Sequence, residues 1–260
     1  MRIALGVSYN GSGYEGWQSQ LSGNTIQDRL EHALGQFTAQ QFRVNCAGRT
    51  DAGVHGLMQV VHFDTALDRD EASWVRGTNA FLPRDIAVQW ARHMPDDFHS
   101  RGSAIARRYA YVVLESPVRP SVEAGRVGWV YRPMDGAALE RAAAHLVGEH
   151  DFSSFRAAQC QAKSPIKTLT RITVSQRGPY WRFEFEANAF LHHMIRNIMG
   201  CLLSVGQGAH NPEWILEVLA ARNRDAAAPT FSPDGLYFMG PVYEDRYALP
   251  ASAPAYDWLP

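Results

Sequence analysis

The stretch that decides the fold spans residues 47–56 and reads AGRTDAGVHG. Three of its residues are glycines, which reach backbone angles closed to other residues and let a chain turn tightly on itself. Segments with the composition of short β-strands flank it at residues 41–45 and 59–63. The pattern predicts a stiff loop between two strands that presents Arg49, Asp51 and His55.

These side chains fit neither of two common binding motifs. A phosphate-binding loop would carry Gly-Lys-Ser/Thr before a helix, whereas a strand is predicted here. A metal site needs a larger ligand set than one Asp and one His. Two interpretations remain on the pattern alone: Asp51 caps a turn with Arg49 as its partner, or the glycines present Asp51 as a reactive carboxylate.

Outward from the loop, short strands and amphipathic helices follow one another. The spacing of apolar residues predicts helices at residues 25–37, 72–79, 136–147, 190–205 and after Pro212. It predicts further strands at residues 2–9, 86–91, 107–114, 168–175, 181–186 and 236–243. Thr25 and Asp28 have the spacing of a capping box at the start of the first helix.

This order of elements predicts an α+β fold. We expect two related halves, with a mixed, mainly antiparallel sheet flanked by helices and a catalytic cleft between the halves. The N-terminal half covers residues 1–105 and carries the Asp51 loop, and the C-terminal half covers residues 106–247. A loosely attached tail covers residues 248–260, because three prolines follow Tyr247 there.

Composition excludes several classes of protein. With 46% hydrophobic and 20% charged residues, the chain is typical of a globular protein. The first residues lack the apolar run of a signal peptide, and the most apolar stretch, residues 199–205, is too short to span a bilayer. Three scattered cysteines (Cys46, Cys160, Cys201) form no CxxC pair. We therefore expect a cytoplasmic protein without a membrane partner.

Charge is distributed unevenly along a nearly neutral chain. The net charge is −1, but residues 98–196 carry +6, between acidic flanks of −4 at residues 51–97 and −4 at residues 197–260. All but two of the 25 basic residues are arginines, which suit phosphate contacts and stacking on bases. Charge alone leaves RNA binding and an ordinary solvated surface as equal alternatives.

Several segments resemble known motifs. Residues 48–55, GRTDAGVH, resemble the signature loop of the tRNA pseudouridine synthase A family. Further motifs of that family are matched in the same order by FHSR at residues 98–101, ARRY at 106–109, HDFSSFR at 150–156, FLHHMIRN at 190–197 and the Gly235-Leu236 pair. The resemblance covers nearly the whole chain. Two positions depart from the family pattern: Gly102, where an aromatic is usual, and Phe231, where a small residue is common.

The resemblance implies the pseudouridine synthase fold and an isomerase that converts uridine to pseudouridine in the anticodon stem-loop of tRNA, at positions thirty-eight to forty. It implies a homodimer and no cofactor. Since breaking a glycosidic bond builds positive charge on the sugar, a carboxylate suits this reaction. Whether the carboxylate attacks the sugar or removes a proton from it stays open.

The resemblance also implies the roles of individual residues. Asp51 is the catalytic residue, and Arg196 is the cation that keeps its carboxylate charged. Tyr109, which on pattern alone would be a core aromatic, packs against the target base, and Arg49 helps to hold the extruded nucleotide. Arg101, Arg107 and Arg108 are expected phosphate contacts.

Two other functions are weighed against this one. A non-catalytic RNA-binding module would share the arginines without needing an ionised Asp51. A metal-dependent nucleic-acid hydrolase would need ligands, and the sequence contains no HExxH motif or Cys/His set. His192 and His193 are expected on one helix, about 100° apart, and therefore on different ligand faces. We expect no metal.

Overall fold

The computed structural model describes residues 1–250, which form two compact units. Unit 1 consists of Met1–Arg107 together with the segment that starts at Tyr237, and unit 2 is Arg108–Leu236. The predicted C-terminal half, residues 106–247, includes the segment that starts at Tyr237, whereas in the structure this segment belongs to unit 1. Of the predicted tail, residues 251–260 lie outside the described residues.

Ten strands and five α-helices are described. In chain order the strands are β1 (Arg2–Tyr9), β2 (Asn45–Cys46), β3 (His55–Asp64), β4 (Ile86–Met94), β5 (Ala104–Glu115), β6 (Gly128–Val130), β7 (Gly148–Asp151), β8 (Ile166–Arg177), β9 (Tyr180–Ala187) and β10 (Leu236–Tyr243). The helices are α1 (Ile26–Thr38), α2 (Glu71–Asn79), α3 (Gly136–Ala144), α4 (Met194–Gly206) and α5 (Trp214–Ala221). The predicted α+β class is confirmed. Among these helices none has the length and apolar character that crossing a bilayer requires.

Unit 1 is built on a sheet with the strand order β4-β1-β3-β10, to which β2 adds by pairing with β3. β1 runs antiparallel to β3 and β4, whereas β10 runs parallel to β3, with Tyr237 opposite His55. The alternation predicted for β1 is seen: Ile3, Leu5 and Val7 are fully buried in one apolar cluster. The other face carries a second cluster around Met58, Trp90 and Phe98.

The start of α1 confirms the N-cap at Thr25 and its predicted pairing with Asp28. The backbone N–H of Asp28 donates to Thr25 Oγ1 at 3.2 Å, and the Thr25 hydroxyl donates to the Asp28 carboxylate at 2.6 Å. Ile26, Leu30 and Leu34 form the fully buried stripe of the helix. This stripe and Trp74 of α2 belong to the same apolar cluster as β1, so both helices cover one face of the sheet.

Unit 2 has the strand order β5-β9-β8-β7, with β6 pairing parallel to β5. β9 alternates half-buried and buried residues, as its period-two pattern predicts, whereas its hairpin partner β8 is mostly exposed. α4 is the central helix of this unit, with ten of its thirteen residues buried. Such a helix, apolar on most faces, is a core element.

Two predicted elements are wrong. Residues 41–45 are not a strand, and only Asn45–Cys46 pair with β3; the N–H of Val44 is instead bonded to the Glu31 carboxylate of α1 at 2.9 Å. The helix predicted from residue 190 begins at Met194. Its N-cap, His193, has φ 60°, a left-handed conformation that interrupts helical geometry ahead of that point.

Candidate active site

The loop of residues 47–56 places Asp51 at the first position of a tight turn. The N–H of Val54 donates to the Asp51 carbonyl at 3.1 Å, and Gly53 adopts φ 81° between them. That angle is typical of the third residue of a type II turn and favours glycine. The Asp51 side chain is partly accessible and Arg49 is exposed. The turn that begins at Asp51 therefore agrees with the sequence prediction of a tight loop that depends on glycine.

Buried polar side chains hold the loop in place through hydrogen bonds. Gln59 of β3, fully buried, donates through Nε2 to the Gly48 carbonyl at 2.5 Å and accepts the Gly48 N–H through Oε1 at 3.3 Å. The hydroxyls of Thr50 and Tyr9 lie 2.8 Å apart in a buried hydrogen bond. Together these bonds anchor both residues that flank Arg49.

A second segment of unit 1 supports the loop through its backbone. The N–H of Trp17 donates to the Thr50 carbonyl at 3.0 Å, and the N–H of Gly53 donates to the Tyr14 carbonyl at 3.3 Å. Gly16 makes this approach possible, because a Cβ there would lie 2.7 Å from the Thr50 carbonyl oxygen, and its φ is 90°. The sequence pattern gave no indication of this support.

His55 has a structural role in unit 1. Its Nδ1 accepts the N–H of Gly11 at 3.1 Å, and its ring stacks on Tyr237 with centroids 4.6 Å apart. The residue is 2% exposed. His55 therefore connects β3 to β10 and to the segment that follows β1. The sequence pattern placed His55 in the loop but gave it no role.

Arg107 binds the scaffold of the loop. Its guanidinium donates to the carbonyls of Arg101 at 2.6 Å, Ala104 at 3.0 Å and Ala47 at 3.4 Å. Ala47 begins the Asp51 loop, so Arg107 joins that loop to the segment around Arg101. Arg101 itself is exposed, and Arg108, in unit 2, is half-buried. The phosphate contacts expected of these three arginines stay predictions.

Tyr109 is a nearly buried residue of β5 in unit 2. It is 9% exposed, and its ring meets Phe190 edge to face with centroids 5.1 Å apart. This geometry is typical of a stable aromatic pair. It fixes the ring plane of Tyr109 while a small part of the residue remains accessible, which is compatible with packing against a base.

Arg196, on the first turn of α4, is oriented by Phe231. Its Nε donates to the Phe231 carbonyl at 2.9 Å, and the Arg196 carbonyl accepts the Phe231 N–H at 3.1 Å. The Phe231 ring contacts Tyr111 with centroids 5.6 Å apart and also lies against Gly128. The departure at Phe231 is thus accommodated by a glycine. The other departure, Gly102, lies at an exposed turn beside His99.

The expectation that His192 and His193 lie on one helix is wrong. Both precede α4, His193 has a left-handed backbone, and the two rings are 4.0 Å apart between centroids. The helical argument against shared metal ligation therefore does not apply, and the expectation of no metal stays a prediction.

Asn197 is a buried residue one helical turn after His193. It belongs to the motif at residues 190–197, but the sequence alone assigned it no role. It donates to the Phe155 carbonyl at 2.8 Å and accepts the Thr230 hydroxyl at 2.6 Å.

The predicted site residues thus fall into two groups. Asp51, Arg49, Arg101 and Arg107 belong to unit 1, and Tyr109, Arg108 and Arg196 belong to unit 2. Within each group the side chains or their loops are held by specific bonds. The roles carried over by resemblance stay predictions.

Comparison with known proteins gives a consistent result. A family model described as tRNA pseudouridine synthase matches residues 6–101 and 142–244, which include Asp51 and Arg196. A protein of Polaromonas sp. (strain JS666 / ATCC BAA-500) named tRNA pseudouridine synthase A is 78% identical, and the match covers 100% of both chains. The proteins of that name from Polaromonas naphthalenivorans (strain CJ2) and Delftia acidovorans (strain DSM 14801 / SPH-1) are 78% and 66% identical, again over 100% of both chains.

Proposed function

Because the chain belongs to the tRNA pseudouridine synthase family, we propose that it isomerises uridine to pseudouridine in the anticodon stem-loop of tRNA, at positions thirty-eight to forty. The observation that carries this proposal is the geometry of Asp51. This carboxylate stands at the head of a turn that is closed by the Val54 N–H and bonded to the Tyr14 carbonyl, inside the first segment matched by the family model. The preceding residues Gly48 and Thr50 are held by Gln59 and Trp17.

The reaction requires a well-placed carboxylate, and its chemistry does not require a cofactor. The bond between the ribose C1′ and uracil N1 breaks, the uracil turns, and C5 bonds to C1′; C5 then loses a proton and N1 gains one. Substrate and product are isomers, so no oxidant or nucleotide is consumed. Positive charge develops on the sugar as the first bond breaks, and an ionised Asp51 responds to it either as nucleophile or as base.

The other site residues prepare the substrate for Asp51. Arg196 supplies the cation that keeps the carboxylate ionised, and its Nε bond to Phe231 fixes the direction of its guanidinium. Tyr109 packs against the extruded uracil, whose removal from its stack costs a few kcal/mol and is partly offset by contact with an aromatic ring. Arg49, exposed beside Asp51, contacts the extruded nucleotide. Arg101, Arg107 and Arg108 contact phosphates.

The proposal is tested by incubating an unmodified tRNA transcript with the pure protein and no additives, and then mapping pseudouridine along the RNA. We expect product at positions thirty-eight to forty and the same yield when a chelator is present. Product elsewhere would overturn the positional assignment. Activity that a chelator abolishes and added metal restores would favour the metal-dependent rival.

We propose further that the protein works as a homodimer in the cytoplasm, so that one tRNA contacts both subunits. Light scattering during gel filtration measures the mass directly. We expect twice the 29.0 kDa of the chain, and a mass of one chain at working concentration would contradict the dimer.

A further inference from the structure

Unit 1 contains an open cavity that none of the site residues above uses. It measures about 420 Å³ and is formed by the segment after β1, by α1 and by the turn of residues 80–85 that precedes β4. Pockets for small ligands begin at roughly 300 Å³. The space is therefore large enough for one nucleotide.

One wall of the cavity is an exposed aromatic ring. Phe81 is 48% exposed and is followed by Leu82 and Pro83, which also line the cavity. RNA-binding proteins commonly stack an unpaired base on such a ring. Because Phe81 lines the cavity with about half of its surface exposed, a base that enters the cavity can reach it.

A carboxylate at the cavity is fixed in direction. The hydroxyl of Tyr14, which lines the same space, donates to Asp85 Oδ1 at 2.7 Å, and the Asp85 carbonyl accepts the N–H of Asn10 at 2.9 Å. Within residues 1–250 no donor reaches Asp85 Oδ2, which is the acceptor available to a ligand. A carboxylate oxygen accepts from the amino group of a base such as guanine or cytosine.

Two basic side chains complete the lining. Arg29 and His32 lie three residues apart on α1, so they share one face of the helix, and both are exposed. The Arg29 guanidinium is bonded to Asn24 Oδ1 at 3.3 Å, and among residues 1–250 no carboxylate lies within salt-bridge distance of it. Arg29 is therefore available to a phosphate, to which arginine can bind in a bidentate manner.

We propose that this cavity binds one unpaired nucleotide of the RNA substrate outside the reaction site, with its base on Phe81, an amino group at Asp85 and its phosphate at Arg29 and His32. The inference rests on the proposed function, because that function identifies the substrate as RNA. The cavity is coupled to the catalytic loop inside unit 1, because Tyr14, which lines it, accepts the N–H of Gly53 in the Asp51 turn.

The test measures the affinity of a labelled, unmodified tRNA transcript by fluorescence anisotropy at several salt concentrations. Phe81→Ala should raise Kd about tenfold, the cost of losing one stacked base. Arg29→Gln should raise Kd and reduce the salt slope by about one phosphate contact. Leu21→Ala and Arg43→Gln change exposed residues of the same unit that do not line the cavity, and they should leave Kd within twofold of wild type.

A second measurement observes the cavity directly. In protein labelled at phenylalanine, guanosine 5′-monophosphate should shift the Phe81 ring signals in NMR spectra, whereas ribose 5-phosphate, which has no base, should not. The inference is overturned if Phe81→Ala binds tRNA like Leu21→Ala, or if the two small probes act alike. Neither readout needs turnover, so a wild-type protein that forms no pseudouridine would overturn the proposed function and leave this test intact.

Discussion

Gln59 and Gly48 exchange two hydrogen bonds across the base of the Asp51 loop, at 2.5 Å from Nε2 to the glycine carbonyl and at 3.3 Å from the glycine N–H to Oε1. Gln59 therefore acts in place of a strand partner where the chain leaves β2. An amide side chain is suited to this task because it carries both a donor and an acceptor.

Gln59→Leu should lower the free energy of unfolding by about 1–3 kcal/mol, since the half-buried N–H and carbonyl of Gly48 lose their partner. It should also lower turnover, because the Asp51 turn loses its anchor. Urea unfolding and single-turnover kinetics measure the two effects. Gln89→Leu is the matched control, as Gln89 makes one exposed bond to Ser8. Equal stability of both variants would show that the exchange contributes nothing.

Asp51→Asn should abolish isomerisation, by a factor on the order of 10³ or more, while tRNA binding stays near that of wild type. The amide has nearly the same shape as the carboxylate but carries no charge. Pseudouridine mapping and fluorescence anisotropy provide the two readouts, and Asp68→Asn, at an exposed position, is the control. A fully active Asp51→Asn protein would remove this residue from the mechanism and leave an RNA-binding module as the better description.

Arg196→Ala should reduce the single-turnover rate at neutral pH by about 10²-fold, because it removes the proposed cation partner of the Asp51 carboxylate. The rate of Arg196→Lys should lie between those of wild type and Arg196→Ala. Lysine keeps the positive charge but cannot reproduce the planar guanidinium bonded to Phe231. Wild-type rates in Arg196→Ala would refute the proposed pair.

Because His62 is buried, we expect the protein to lose stability in acid. Burial, with a contribution from the neighbouring His99, lowers the pKa of the His62 ring to about 4, and its Nδ1 accepts the N–H of Ser100 at 3.2 Å. The unfolded chain takes up this proton below pH about 6.5, whereas the folded protein resists it down to pH about 4. The free energy of unfolding should therefore fall by up to about 3 kcal/mol between those pH values.

Urea unfolding at pH 7.5 and pH 5 measures this loss. His62→Gln should show a smaller difference between the two pH values than wild type, and His210→Gln, which changes an exposed histidine, should show the wild-type difference. NMR titration of the His62 ring gives an independent value. A ring that titrates near pH 6.5 in the folded protein would contradict the prediction.

The sequence allowed prediction of those features that depend on local pattern. The N-cap at Thr25, the alternation of β1 and the glycine turn around Asp51 each follow from a few neighbouring residues. The family motifs brought Asp51, Tyr109 and Arg196 to attention, although on pattern alone each had an ordinary structural explanation.

The features that were missed depend on residues far apart in the chain. Glu31 takes the N–H of Val44 away from any strand ladder, so the strand predicted at residues 41–45 does not form. His193 adopts a left-handed backbone that no helical pattern reveals. The contact of Arg107 with Ala47 likewise joins positions sixty residues apart, which one sequence read by period cannot pair.

The stacking of His55 on Tyr237 has a consequence for biosynthesis. These residues are 182 positions apart, and the parallel pairing of β3 with β10 begins at the same pair. A nascent polypeptide that has not yet passed position 237 lacks the strand that pairs with β3 next to the Asp51 loop, however long its amino-terminal portion has been outside the ribosome. Assembly of unit 1 is thereby deferred until residue 237 has been synthesised, and a fragment that ends earlier would carry the Asp51 turn without the strand that completes its support.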